Sequence, residues 1–180
     1  MPRYLALFGS INVGGNRLTM ADLRAAFEAE GFSNVETVVA SGNVLFDHEE
    51  RPDEGLEDKL AYMMRHRFGF DSVALVRSRD ALAKAIAENP WAADGQENFV
   101  HTLFLDSEVD PDGFASLQSD RSGPERLAAG DRALHIDYCA GVGESKLVGK
   151  FIERRLGARG TARNLRSMKR ILAKMDESTA

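Results

Sequence analysis

Val35-Glu36-Thr37-Val38-Val39-Ala40-Ser41-Gly42-Asn43-Val44-Leu45-Phe46 decides the fold. Two β-rich runs, Val35 to Ala40 and Val44 to Phe46, flank Ser41-Gly42-Asn43, a turn signal that joins them as a hairpin. Upstream of it, Tyr4 to Phe8 is an apolar strand. Thr19 and Asp22 then form a capping box with the shorter acid, Met20, Leu23 and Phe27 follow at helical spacing, and Gly31 closes the helix. Downstream, Leu56, Leu60, Met63, Met64 and Phe68 mark a second helix stopped by Gly69, and Val73 to Val76 is a fourth strand.

The order is therefore β-α-β-β-α-β. With right-handed crossovers this is the ferredoxin-like split unit: four antiparallel strands, both helices on one face, the first strand central beside the third. That geometry places the loop leaving strand one, Ser10 to Gly15, beside the turn Ser41 to Asn43. The second face of the sheet, carrying Tyr4, Ala6 and Phe8 or their alternates, is apolar as well. Either the other half of the chain or a second subunit must cover it, so a homodimer is one expected partner.

Ser78 caps a linking helix, Arg79 to Glu88, which ends at Asn89-Pro90 because the residue before proline is pushed out of helical space. Beyond it, Phe99 to Leu105 is a strand, Asp110 to Leu117 a short helix, and Arg126 to Ala128 with Ala133 to Tyr138 a hairpin around Gly130-Asp131. Leu147, Val148, Phe151, Ile152 and Leu156 form an amphipathic helix closed by Gly157, Arg159 to Ala162 a last strand, and Leu165 to Met175 a final helix with one apolar face. The expected fold is thus α+β: two ferredoxin-like (α-β plait) units plus a linking and a C-terminal helix. The expected domains are 1–77, a linking helix at 78–91, and 92–180. In the second unit, Gly141 to Ser145 and Thr161 to Asn164 fall on one edge of the sheet.

At 180 residues, 43% apolar and 28% charged, the chain has ordinary globular composition. Tyr4 to Phe8, preceded by Pro2 and Arg3, is too short for a signal peptide core or a membrane span, so a cytoplasmic protein without membrane contact is expected. The single cysteine, Cys139, reads as a buried structural thiol. Net charge is −5, yet Glu144 to Lys174 holds ten basic residues against two acidic ones, leaving +8 there and −13 elsewhere. Such asymmetry suits an anionic partner or a match between parts of the molecule.

Gly9 and Gly14 stand at the spacing that opens a phosphate-binding P-loop, but Gly15 and Asn16 replace its Lys and Ser/Thr, which excludes an ATPase reading. The loop still supplies backbone N–H groups that a polar ligand or a plain turn could use. Ser41 lacks a nucleophile elbow or a supporting histidine and fits turn chemistry. Gly141-Val142-Gly143-Glu144-Ser145-Lys146 at a helix start, with Arg163 and Asn164 expected nearby, is the better anion site, unless Ser145 only caps the helix. His48, His66, His101 and His135 are scattered, so no metal site is expected; His135 is expected to face outward, and Glu57 with Asp58 to be solvated.

Ile11-Asn12-Val13-Gly14-Gly15, Ala40-Ser41-Gly42-Asn43-Val44, Phe68-Gly69-Phe70, Val76-Arg77, Asn89-Pro90-Trp91, Phe104-Leu105-Asp106, Ser145-Lys146-Leu147 and Thr161-Ala162-Arg163-Asn164 together resemble a bacterial family catalogued as domain of unknown function 1697. The resemblance runs nearly end to end and implies two ferredoxin-like halves with no assigned activity. Members usually read Arg-Gly before the Ile-Asn-Val-Gly-Gly run, where this chain has Gly9 and Ser10.

The sequence thus points to a binding protein for a small phosphate-bearing or other anionic ligand. The expected ligand-binding residues are Ser10, Asn12, Gly14, Gly15, Ser41 and Asn43 on one edge, and Gly143, Ser145, Lys146, Arg163 and Asn164 on the other. No catalytic residue and no cofactor are assigned. An enzyme acting on a small polar substrate at the Ser10–Gly15/Ser41–Asn43 edge is the first alternative. Weak, non-specific nucleic-acid binding through Arg166, Lys169, Arg170 and Lys174 of the C-terminal helix is the second. Base stacking is not expected, because strand three keeps a single aromatic, Phe46.

Overall fold

A computed structural model describes residues 1–9, 18–39, 42–139, 141–145, 147 and 149–177. Contacts divide the chain into two compact units, Met1–Leu82 with Arg170–Ala180, and Ala83–Lys169.

The first unit runs β1 (Arg3–Phe8), α1 (Met20–Ala29), β2 (Ser33–Thr37), β3 (Asn43–Asp47), α2 (Asp53–Phe68) and β4 (Ala74–Ser78). Its sheet is antiparallel with order β2-β3-β1-β4, the split-unit topology that the hairpin between two helices dictates. The hydroxyl of Thr19 accepts the Asp22 N–H at 3.0 Å and fixes the start of α1. Gly69, at φ +74°, closes α2. The hairpin is shorter in β-structure than expected: β2 ends at Thr37, because Val39 has φ +50° and its carbonyl accepts the Asn43 amide at 3.0 Å. That side-chain bond ties Val39 to the first residue of β3.

Tyr4, Ala6, Phe8, Val44, Phe46 and Val76 face the helices and pack with Leu23, Phe27, Leu56, Leu60 and Met63. Each of the larger of these side chains contributes about 1.5–3 kcal/mol by leaving water. Their alternates Leu5, Leu7, Leu45 and Leu75, on the other face, are at most 1% exposed within the single chain. Glu57, expected on a solvated surface, is instead 8% exposed. Its Oε2 accepts the Val76 N–H at 2.8 Å and Arg77 Nη1 at 3.2 Å, while the same Nη1 donates to the Val76 carbonyl at 2.9 Å. Since β4 is an edge strand, a carboxylate from α2 and an arginine thus occupy the outward-facing N–H and C=O of Val76.

The second unit holds the end of α3 (Arg79–Ala87), then β5 (Val100–Leu105), α4 (Pro111–Asp120), β6 (Arg126–Gly130), β7 (Ala133–Asp137), a 3₁₀ turn at Val142–Glu144, α5 (Gly149–Leu156), β8 (Gly160–Asn164) and the start of α6 (Leu165–Glu177). Its order, β6-β7-β5-β8, repeats the first sheet. Asp110 caps α4 through the Gly113 N–H at 2.9 Å. Gly113 also lets α4 touch α5, since a Cβ there would lie 2.3 Å from the Arg155 carbonyl oxygen. Leu103, Leu105, Leu134 and Ile136 pack under α4 and α5 with Leu117, Ile152 and Leu156.

The opposite face of this sheet is covered too. Val100 and Ala128 pack with Trp91, Ile86 and Leu165. His135, expected to face outward, does lie opposite Leu134 and Ile136 but is fully buried. Its Nδ1 lies 2.8 Å from Thr102 Oγ1 and its Nε2 3.1 Å from Glu88 Oε1. The carboxylate can only accept, which makes Nε2 the protonated nitrogen and Thr102 the donor to Nδ1. Burial pushes the imidazole below its ordinary pKa, against a smaller upward pull from Glu88. Cys139 departs from expectation in the other direction: it is exposed, at φ +56°, in the turn that follows β7.

Candidate functional site

Glu125 follows Gly123-Pro124 and precedes β6, and only 3% of it is exposed. Its Oε1 accepts the Ser145 hydroxyl at 2.5 Å. Ser145 in turn accepts the Leu147 N–H at 3.0 Å, and its own N–H closes the 3₁₀ turn on the Val142 carbonyl at 3.1 Å. The second carboxylate oxygen, Oε2, is buried with no hydrogen-bond partner among the described residues. A buried acceptor in that state costs about 1–3 kcal/mol.

Glu125 lines a cavity of about 130 Å³ formed with the 120–123 loop after α4, Leu147 and Phe151. Arg121 shapes the loop, donating through Nε to Gln118 Oε1 and through Nη1 to the Gly123 carbonyl, each at 3.1 Å. Both partners are neutral. The carboxylate of Asp120 is taken by Arg155, which also donates to Ser116 at 2.8 Å and lies over the Phe151 ring at 4.8 Å. Tyr138, 6% exposed, donates to the Leu147 carbonyl at 3.5 Å. Desolvation, with a smaller contribution from the Glu125 charge, pushes its phenol up to about 12. Tyr138 therefore remains a neutral donor beneath Leu147, and with Asp120 taken by Arg155 the open carboxylate among the lining residues is that of Glu125. Gly123 lies close against this carboxylate: a Cβ there would lie 2.2 Å from Glu125 Oε2 and would displace it.

Of the residues expected to bind ligand, Ser145 is the one drawn into this site. Its hydroxyl proton goes to a carboxylate, an arrangement that presents no donor to an anion. Gly143 sits in the 3₁₀ turn with open space around it. Asn164 instead caps α6, its Oδ1 accepting the Ser167 N–H at 2.8 Å. Arg163 donates to Thr161 Oγ1 at 2.8 Å and to the Ala162 carbonyl at 2.9 Å, and desolvation lowers its pKa to about 10. These bonds engage both residues within β8 and the first turn of α6. Lys146 lies outside the described residues.

On the first unit's edge, Asn43 is 2% exposed and spends its amide on the Val39 carbonyl. Phe8 N–H donates to the Gly42 carbonyl at 2.9 Å, so the end of β1 lies beside Gly42. Ser10, Asn12, Gly14, Gly15 and Ser41 lie outside the described residues. On α6, Lys169 pairs with Glu97 at 2.6 Å in the second unit, and Lys174 with Glu36 at 3.2 Å in the first. Part of the basic segment is thus matched by acids of the same chain. Among the described residues no His/Cys/Asp/Glu group suits a metal ion, and no helix is long and apolar enough to cross a membrane.

Sequence reasoning missed Glu125, Arg121 and Tyr138. A glutamate after Gly-Pro ahead of a strand looks like any turn acid, and only the fold brings it within reach of Ser145.

A family model described as "Protein of unknown function (DUF1697)" matches residues 1–135, a stretch that includes Arg121 and Glu125 and ends before Ser145. Among solved structures, the conserved bacterial protein SP0830 from Streptococcus pneumoniae is similar, with a TM-score of 0.77 over 98% of this chain and 99% of its own, at 23% identity. That likeness is one of fold alone. No curated protein matches the chain.

Proposed function

The chain belongs to this family of proteins of unknown function, and from that premise we propose that it binds a small polar ligand in the cavity beside α5, with Glu125 as the recognition group. The carrying observation is Glu125 Oε2: a desolvated carboxylate oxygen, on a residue that lines the cavity, without a protein donor among the described residues. A ligand N–H or O–H placed there would recover the roughly 1–3 kcal/mol that an unmade bond costs, about a five- to 150-fold gain in affinity. Supporting it, the Ser145 hydroxyl holds the carboxylate before any ligand arrives, which lowers the ordering cost.

A thermal-shift screen of small polar compounds on the full chain tests this, because a ligand of the folded state raises its melting temperature. Hits should lose at least ten-fold in affinity on Glu125→Gln while the unliganded variant still melts cooperatively. Hits that bind Glu125→Gln unchanged would place the ligand elsewhere and end this reading.

A further inference from the structure

The cavity wall carries two charges that meet no opposite charge among the described residues. Among the described residues Glu125 meets a hydroxyl and no cation: Ser145 is the one hydrogen-bond partner of its carboxylate, and Oε2 has none. Arg121 meets an amide oxygen and a backbone carbonyl and belongs to no ion pair among the described residues. The third charge on the wall, Asp120, is already neutralised by Arg155. One buried negative and one half-buried positive group on the same small cavity call for a ligand with the opposite pair. A simple anion, phosphate included, would face the Glu125 carboxylate at close range. A simple amine would leave the guanidinium unanswered. The Glu125 carboxylate is desolvated and interacts with a nearby charge more strongly than it would in water, so the mismatch discriminates.

We infer that the ligand is a small zwitterion, its ammonium group donating to Glu125 Oε2 and its acidic group accepting from Arg121. This rests on the cavity being the binding site, and it retains, in altered form, the anionic group expected from the sequence. The cavity of about 130 Å³ limits the molecule to a handful of heavy atoms between the two charges. Its walls at Leu147 and Phe151 suit a short methylene spacer in place of a polar one.

The test is isothermal titration of the full chain with glycine, β-alanine, γ-aminobutyrate and 5-aminopentanoate, beside length-matched alkylamines and alkyl carboxylates; 2-aminoethyl phosphate probes the phosphate form of the acid. One spacer length should bind at least ten-fold more tightly than its amine-only and acid-only counterparts. Arg121→Gln should abolish that preference without weakening the amine, and Glu125→Gln should abolish binding of the zwitterion. If the amine binds as tightly as the amino acid and Arg121→Gln is silent, the zwitterion assignment is wrong while the cavity reading stands. The zwitterion assignment fails in the same way if no member of the series binds but an unrelated screening hit depends on Glu125. If the acid alone binds and Glu125→Gln has no effect, both fall.

Discussion

Thr102→Val isolates one hydrogen bond in the second unit. Thr102 and His135 are both 0% exposed, and Thr102 Oγ1 lies 2.8 Å from His135 Nδ1. Valine keeps the β-branched shape that a strand favours, so neither a cavity nor a propensity loss enters. What remains is an imidazole nitrogen left without a partner where water cannot reach it, at a cost of about 2 kcal/mol. With a denaturant slope of about 2 kcal/mol per molar urea for a protein of this size, the midpoint should fall by about 1 M. Trp91 is the sole tryptophan, 9% exposed and within the second unit, so its fluorescence follows the unit that holds the bond. Thr102→Val combined with His135→Leu removes both partners, and should cost less than the two single changes added, with a coupling of about 1–2 kcal/mol. A Thr102→Val midpoint within about 0.2 M of the parent, or strict additivity in the cycle, would refute the account of this bond.

Acid should weaken the same unit through His135. Its folded pKa lies below the ordinary value, so the unfolded state binds the extra proton first. Stability is whole above about pH 6.5 and falls as pH drops from there through the folded pKa. His101, also depressed by burial, adds a loss of the same sign, so His135→Leu should reduce the acid slope of urea midpoints without flattening it. Gly123→Ala places a methyl 2.2 Å from Glu125 Oε2 and should cost about 1–3 kcal/mol in chemical denaturation as the carboxylate is driven off Ser145. A cost under about 0.5 kcal/mol would mean that the carboxylate is loosely held.

Much of the architecture was legible in the chain because local signals agreed with one another. The turn at Ser41 to Asn43, the cap at Thr19 and the stop at Gly69 each mark an element end, and together they leave little choice of topology. What the sequence could not supply is which second face is covered. Period-two alternation correctly sets His135 opposite Leu134, yet alternation is silent on whether water or Trp91 and Leu165 lie beyond that face. Glu57 misleads for the same reason: it lies among the helical acids of α2, but the neighbouring edge strand turns it into a buried acceptor. The candidate site was half legible. Ser145 announced itself beside glycines at a helix start, whereas Glu125, twenty positions earlier, becomes its partner only when β6 and the loop before α5 meet.

The pairing of Glu57 and Arg77 around Val76 bears on how this protein behaves in a crowded solution. An open sheet edge is a template on which a foreign strand can dock by main-chain hydrogen bonds, the first step towards fibrils and also the way many peptide receptors capture their targets. Here the donor and the acceptor at the middle of β4 are both occupied by side chains, held by a charge pair that an incoming strand would have to break. At Val76 the β4 edge therefore offers an incoming strand neither a free donor nor a free acceptor.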